Sequence, residues 1–342
     1  MRRAVEAVWN SDAPWAAVSR AALAPVSIAW RGASWMRNAL YERDILRAEQ
    51  SPIPVVSIGN LAVGGTGKTP MAAWMANALM ARGARPAIVM RGYGDDEPQV
   101  HRLINPDVPV VVNADRVAAV HDAAAQRRDV AILDDGFQHR RLARQEDIVL
   151  VSSDRWREPI RLLPAGPWRE PPSALSRASL VIVTRKAADA ASAQSLMQRL
   201  SKLTSTGKGA VATLAPDSLH DVASGGVRPL SGLAGRRVLV VAGIGDPDSF
   251  VLQLQGAGAI VELRRFPDHH VYQSADIAQL ARDAGAFDHI LCTLKDAVKL
   301  GSRWPREGQP LWYVSLRCEI EVGGADVSAV LDRVLAARRT HD

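Results

Sequence analysis

"VVSIGNLAVGGTGKTP", residues 55–70, decides the architecture. Residues 55–58 form a short apolar run rich in β-branched side chains, the composition of a buried strand. A glycine-rich turn follows, closed by Gly67, Lys68 and Thr69, and "TPMAAWMANALMARG" then has helical spacing up to Gly83. Strand, glycine loop and helix together let successive backbone N–H groups wrap a phosphate at a helix N-terminus. In the pattern G-x-x-x-x-G-K-[ST], the lysine reaches the β and γ phosphates and the hydroxyl holds Mg²⁺. Ala62 takes the place of the first glycine, while Gly64, Gly65, Thr66, Gly67, Lys68 and Thr69 complete the loop. The stretch predicts a nucleotide-binding P-loop.

The rest of the chain alternates in the same manner. "PAIVM", "VPVVV", "DVAILDDG" and "DIVLVSSD" are short apolar runs, with the helical "ADRVAAVHDAAAQRR" among them. Such alternation predicts an α/β fold: a P-loop NTPase-like, mostly parallel sheet flanked by helices. Five prolines within residues 159–172 predict an irregular loop beside that sheet. A Gly- and Ser-rich connection at residues 221–235 precedes a second strand-turn-helix set. The expected division is a helical segment at 1–45, a P-loop domain at 46–218 and a smaller α/β domain at 219–342.

Composition narrows the function. With 47% hydrophobic and 23% charged residues the chain reads as globular. The net charge is +6, but its basic residues are scattered, which argues against nucleic acid and suits an anionic surface. Only six of the 42 cationic residues are lysine, so a lysine at the P-loop position is unlikely to be chance. Two cysteines exclude a disulfide framework. Residues 1–40 hold four of the nine tryptophans (Trp9, Trp15, Trp30, Trp35), and their longest uncharged run, ten residues containing Pro25, is too short to span a bilayer. Tryptophan and arginine on short helices can lie in a membrane interface, or the rings can simply dock the helices on the main body.

Candidate site residues cluster after strands, where α/β sheets place ligands. Asp134 and Asp135 follow "VAIL", where a P-loop enzyme needs a metal-side acid. "RGYGDDEPQ" supplies Asp95, Asp96 and Glu97, and "FPDHHVY" sets Asp268 beside His269 and His270. Arg116, Arg157 and Arg169 can clamp anionic oxygens.

In order, "GNLAVGGTGKTP", "RGYG", "DEP", "ADR", "DDGFQH", "LPAGPWRE", "AGIGDPDSF", "FPDHH" and "KDAVKL" resemble the tetraacyldisaccharide 4'-kinases of lipid A synthesis across about residues 50–315. The resemblance implies a membrane-associated P-loop kinase that moves the γ-phosphate of ATP to the 4'-hydroxyl of a tetraacylated disaccharide 1-phosphate. It implies Lys68 and Thr69 on the phosphates and Mg²⁺, Asp134 and Asp135 as the metal-side pair, and Asp96 as the base with His269 as partner. Glu97, Arg116 and Arg169 would meet substrate or phosphate. Asp95 stands where the family has glycine and is a rival for the base, and Leu294 replaces a family acid. Lys295 and Asp296 are similar to nucleobase-reading Lys/Asp pairs. A peripheral monomer on the cytoplasmic face of the inner membrane is expected. Alternatives are a membrane-associated P-loop ATPase or GTPase switch, a non-catalytic nucleotide-binding module, and a kinase for another glycolipid.

Overall fold

The computed structural model describes residues 2–92 and 96–338. Two helices open it, α1 (Arg2–Asn10) and α2 (Pro14–Glu42). The first half continues with β1 (Val55–Asn60), α3 (Lys68–Met80), β2 (Pro86–Met90), α4 (Asp96–Ile104), β3 (Val110–Val112), α5 (Arg116–Ala125), β4 (Val130–Asp134), β5 (Glu146–Ser152), β6 (Leu180–Arg185) and α6 (Ala190–Ser201). Next come β7 (Gly209–Asp221), β8 (Val227–Pro229), β9 (Arg237–Ala242), α7 (Pro247–Gly256), β10 (Ile260–Arg265), α8 (Ser274–Ala284), β11 (His289–Thr293), α9 (Leu294–Leu300), β12 (Leu311–Val322) and α10 (Gly324–Arg338).

One sheet runs through the molecule in the order β10-β9-β11-β12-β7-β6-β5-β1-β4-β2-β3, with β8 appended to β7. Pairing is parallel except for β12 with β7 and β7 with β8. The sheet is thus two parallel halves joined by one antiparallel pair of long strands, and the expected 218/219 junction falls inside β7. β1, β4 and β5 are buried along their whole length, as parallel strands covered on both faces must be. On one face Met71, Met75 and Leu79 of α3 pack with Val330, Leu331 and Val334 of α10, so the last helix completes the core of the P-loop half. On the other face Val117 and Val120 of α5 cover β2 and β4, and Leu196 and Leu200 of α6 cover β6.

The N-terminus departs from the short helices expected of it. α2 runs 29 residues straight through Pro25. A proline removes one N–H from the ladder, and helix-favouring alanines at 21, 22 and 24 carry the helix past the gap. Among the described residues no helix is long and apolar enough to cross a membrane.

Candidate active site

The phosphate loop leaves β1 and ends on α3, whose N-terminus supplies free N–H groups and the positive end of the helix dipole. Gly67 has φ 86°, and a Cβ there would lie 2.3 Å from Leu214 Cδ1, so both conformation and space require glycine. Side chains pin the turn: Asn60 Nδ2 donates to Thr66 Oγ1 at 3.0 Å, and Thr184 Oγ1 donates to the Thr66 carbonyl at 2.9 Å.

Asp134, at the tip of β4, faces the loop. Its Oδ2 accepts from Thr69 Oγ1 at 3.3 Å and lies 2.8 Å from Nε2 of the fully buried His101. Burial would raise the Asp134 carboxyl, but the His101 contact and the nearby Lys68 charge outweigh it and hold the group below the ordinary range. Asp135 takes a different direction because its backbone is left-handed, φ 58°. It meets Lys68 Nζ at 3.7 Å, and Arg169 Nη1 donates to both its oxygens at 2.8 and 3.0 Å. Burial raises this carboxyl too, and Lys68, Arg169 and Arg116 together bring it below normal. The two adjacent aspartates are therefore not equivalent: one sits beside the Thr69 hydroxyl, the other among cations.

Across a cleft of about 820 Å³, the second half of the sheet contributes the loop after β10 and helix α9. His269 Nδ1 lies 3.2 Å from Asp96 Oδ2, and Lys299 Nζ makes an ion pair with the same oxygen at 3.0 Å. Asp96 is buried, which on its own would raise its pKa; the hydrogen bond from His269 and the bond and charge of Lys299 reverse the sign and lower it well below the usual carboxylate range. His269 is held at φ 60°, a conformation few non-glycine residues adopt and one that recurs at functional sites. Glu97 Oε1 accepts from Lys295 Nζ at 2.8 Å, a second bond across the cleft. Asp95, the rival for the base, lies outside the described residues.

Glycines 64, 65 and 67, Thr66, Lys68, Thr69, Glu97, Asp134, Asp135, Arg169 and His269 all line this one cleft. Arg116 does not line it; it opens α5, buried, and acts on Asp135 through its charge. Arg157 turns outward and donates to the carbonyls of Asp154 and Trp156. His270 meets Asp276 Oδ2 at 3.0 Å within the α8 cap. The likeness of Lys295 and Asp296 to a base-reading pair fails for the aspartate, whose buried oxygens accept from Gly243 N, Tyr272 Oη and Thr293 Oγ1. Sequence reasoning missed His101 and Lys299. Lys299 had a signal, since it follows Lys295 by four residues and so shares its helix face. His101 had none, because a histidine on a short helix ordinarily faces water.

The N-terminal tryptophans divide. Trp9 Nε1 donates to the Pro164 carbonyl at 2.9 Å, and Trp30 Nε1 to the Arg169 carbonyl at 2.9 Å. Asn38 Nδ2 adds a bond to the buried Glu170 at 2.8 Å. Trp15 and Trp35 stay 52% and 68% exposed, in company with Val18, Val26, Ile28 and Met36.

A strand-loop-helix phosphate cradle, a lysine and a threonine facing two aspartates, and a carboxylate-imidazole pair across the same cleft define a P-loop phosphotransferase. The family model described as tetraacyldisaccharide-1-P 4'-kinase matches residues 19–107 and 96–336, and the chain belongs to that family. It is 36% identical to the tetraacyldisaccharide 4'-kinase of Anaeromyxobacter sp. (strain K) over 97% of this chain and 96% of that protein. It is 34% identical to the enzyme of the same name from Xanthomonas euvesicatoria, again covering 97% and 96% of the two chains. Among solved structures it resembles LpxK from Aquifex aeolicus in complex with ATP, with TM-score 0.71 and 26% identity over 92% of this chain and 99% of that one.

Proposed function

We propose that this chain transfers the γ-phosphate of ATP to the 4'-hydroxyl of tetraacyldisaccharide 1-phosphate in lipid A biosynthesis. The observation that carries the reading is that His269, bonded to the buried carboxylate of Asp96, lines the same cleft as Lys68 and the phosphate loop. Phosphoryl transfer needs alignment and charge neutralisation above all. The amides of residues 64–69 and Lys68 would hold the phosphates, and Arg169, which lines the same cleft, would help to neutralise them. Asp96, ionised and hydrogen-bonded to His269, would take the proton of the acceptor hydroxyl as the bond to phosphorus forms. Glu97 is assigned to the substrate side, and Arg116 to keeping Asp135 ionised from behind.

The Thr69 hydroxyl and the carboxylates of Asp134 and Asp135 are oxygen donors too few to cage a metal, which suits Mg²⁺, an ion that keeps waters and substrate phosphates as ligands. When bound, Mg²⁺ would neutralise charge on the β and γ phosphates. The exposed Trp15, Trp35 and aliphatic residues of α2 support a peripheral position on the cytoplasmic face of the inner membrane, where a tetraacylated substrate resides. We assign the active unit as a monomer.

The test is transfer of label from γ-labelled ATP, with Mg²⁺, to tetraacyldisaccharide 1-phosphate in detergent micelles. Labelled bisphosphorylated lipid that disappears with Lys68→Ala supports the kinase. ATP hydrolysis without labelled lipid would replace it with a switch ATPase or another acceptor.

A further inference from the structure

Two cations that the mechanism above does not use meet at the tip of the phosphate loop. Arg155 lies just beyond β5, and Lys186 just beyond β6. Asp154 ties these strand ends together by accepting from the backbone N–H groups of Lys186, Ala187 and Ala188 at 2.7–2.8 Å. The guanidinium of Arg155 lies flat against Gly64: a Cβ built on that glycine would stand 2.5 Å from Nη1, 2.9 Å from Cζ and 3.2 Å from Nη2. Gly64 also has φ 117°, a conformation that side chains rarely adopt, so glycine suits both the turn and the close approach. From there Nη1 donates to the carbonyl of Gly245 at 2.9 Å, in the loop between β9 and α7 of the other half. That loop comes so close that a Cβ on Gly245 would be 3.7 Å from the amide of Gly65. Alongside, Lys186 Nζ pairs with Asp246 Oδ2 at 2.9 Å, and both line the cleft.

We propose that Arg155 is an arginine finger supplied in cis, set over the third residue of the phosphate loop and held there by the loop of the opposite half. This rests on the kinase reading. In the transfer step the acceptor oxygen bonds to Pγ while the bond from Pγ to the β–γ bridging oxygen breaks. The electron pair stays on that oxygen as ADP leaves, and the acceptor proton goes to Asp96. Lys68 and Arg169, which meet the phosphates in that reading, come from the Asp135 side of the loop. Arg155 approaches from the Gly64 side. Its planar fork has donors to spare beyond Gly245 for the bridging oxygen and a γ-phosphate oxygen. Because Gly245 belongs to the other half, the finger is in place only where the two halves meet, which ties approach of the halves to the stabilising charge.

The experiment uses the full chain and compares wild type, Arg155→Ala, Arg155→Lys and Asp246→Asn. It measures kcat for lipid phosphorylation and, separately, affinity for ADP and for ADP with tetrafluoroaluminate, which mimics the transferring phosphoryl group and needs no lipid. Thermal unfolding with ADP confirms that each variant is folded. For a finger, Arg155→Ala lowers kcat by about 10³-fold, leaves ADP affinity unchanged and abolishes the added affinity for ADP–tetrafluoroaluminate. Arg155→Lys recovers little, since it keeps the charge but not the fork. Asp246→Asn, which weakens the pair with Lys186 while the Gly245 carbonyl still holds the guanidinium, keeps the tetrafluoroaluminate discrimination. The proposal is overturned if Arg155→Ala retains kcat, if it loses ADP and transition-state-mimic affinity in equal measure, or if Asp246→Asn reproduces it. Failure of wild type to label lipid would instead count against the acceptor assignment, while the fluoride readout still reports on the finger.

Discussion

Nδ1 of His269 lies 3.2 Å from Oδ2 of Asp96, although 173 residues separate them and they come from opposite sides of the cleft. Neither half of the sheet holds a complete proton-accepting unit. Asp96→Ala is therefore expected to lower turnover by about 10²–10⁴-fold while nucleotide binding persists. Single-turnover transfer and ADP titration on the same variant check both parts, and His269→Ala is expected to follow in the same direction with a smaller loss.

Lys299 shares the Asp96 oxygen and helps to lower its pKa after burial has raised it. The ionised carboxylate is the reactive form, so anything that raises its pKa moves the acid limb of the rate profile upward. Lys299→Met is expected to shift that limb to higher pH, read from kcat between pH 4 and 9. An unmoved limb would show that Lys299 does not set the basicity of Asp96.

The Thr69 hydroxyl and Asp134 are adjacent, and His101 braces the carboxylate from behind. Asp134→Asn is expected to remove the Mg²⁺ dependence of ADP affinity, and His101→Phe to weaken it. Titrating ADP with and without Mg²⁺ or a chelator measures this independently of lipid turnover.

Leu331 of α10 is 2% exposed and packs with α3 beneath the phosphate loop. Leu331→Ala should destabilise the P-loop half by about 2–5 kcal/mol, measured by denaturant unfolding. An effect confined to the second half would show that α10 is not part of that core.

Trp15 and Trp35 face outward, whereas Trp9 and Trp30 are hydrogen-bonded to the proline-rich loop. Replacing Trp15 and Trp35 together by serine is expected to weaken sedimentation with anionic vesicles and to spare activity in detergent micelles. Trp30→Phe, which removes only the bond to the Arg169 carbonyl, should leave vesicle binding intact.

What the sequence made legible was contiguous. The phosphate loop needs its residues in one unbroken run, so residues 62–69 could be recognised without knowing the fold. Strand and helix alternation gave the parallel sheet for the same reason. Asp134 and Asp135 look alike as neighbours, and only the left-handed backbone at Asp135 separates their directions. His101 and Arg155 gain their partners from segments far off in the chain, which no local pattern encodes, and Lys299 is signalled only by its spacing from Lys295. The length of α2 was not legible, because no local signal shows that the alanines around Pro25 carry the helix past it.

β7 and β12 pair antiparallel from Trp312 opposite Asp221 to Val322 opposite Val211, with irregularities in register between Val314 and Leu316 and again between Ile320 and Val322. These two strands are the sheet's one bridge between the side carrying Lys68 and the side carrying His269. A bridge of two hydrogen-bonded ribbons resists stretching and sliding but yields to twist, most readily where its ladder is broken. Twist about this bridge is therefore the movement that would open the cleft with the least cost to the ladder. Substitutions near Ser315 that stiffen the ladder would then act on the cleft from a distance, touching none of the residues that bond across it.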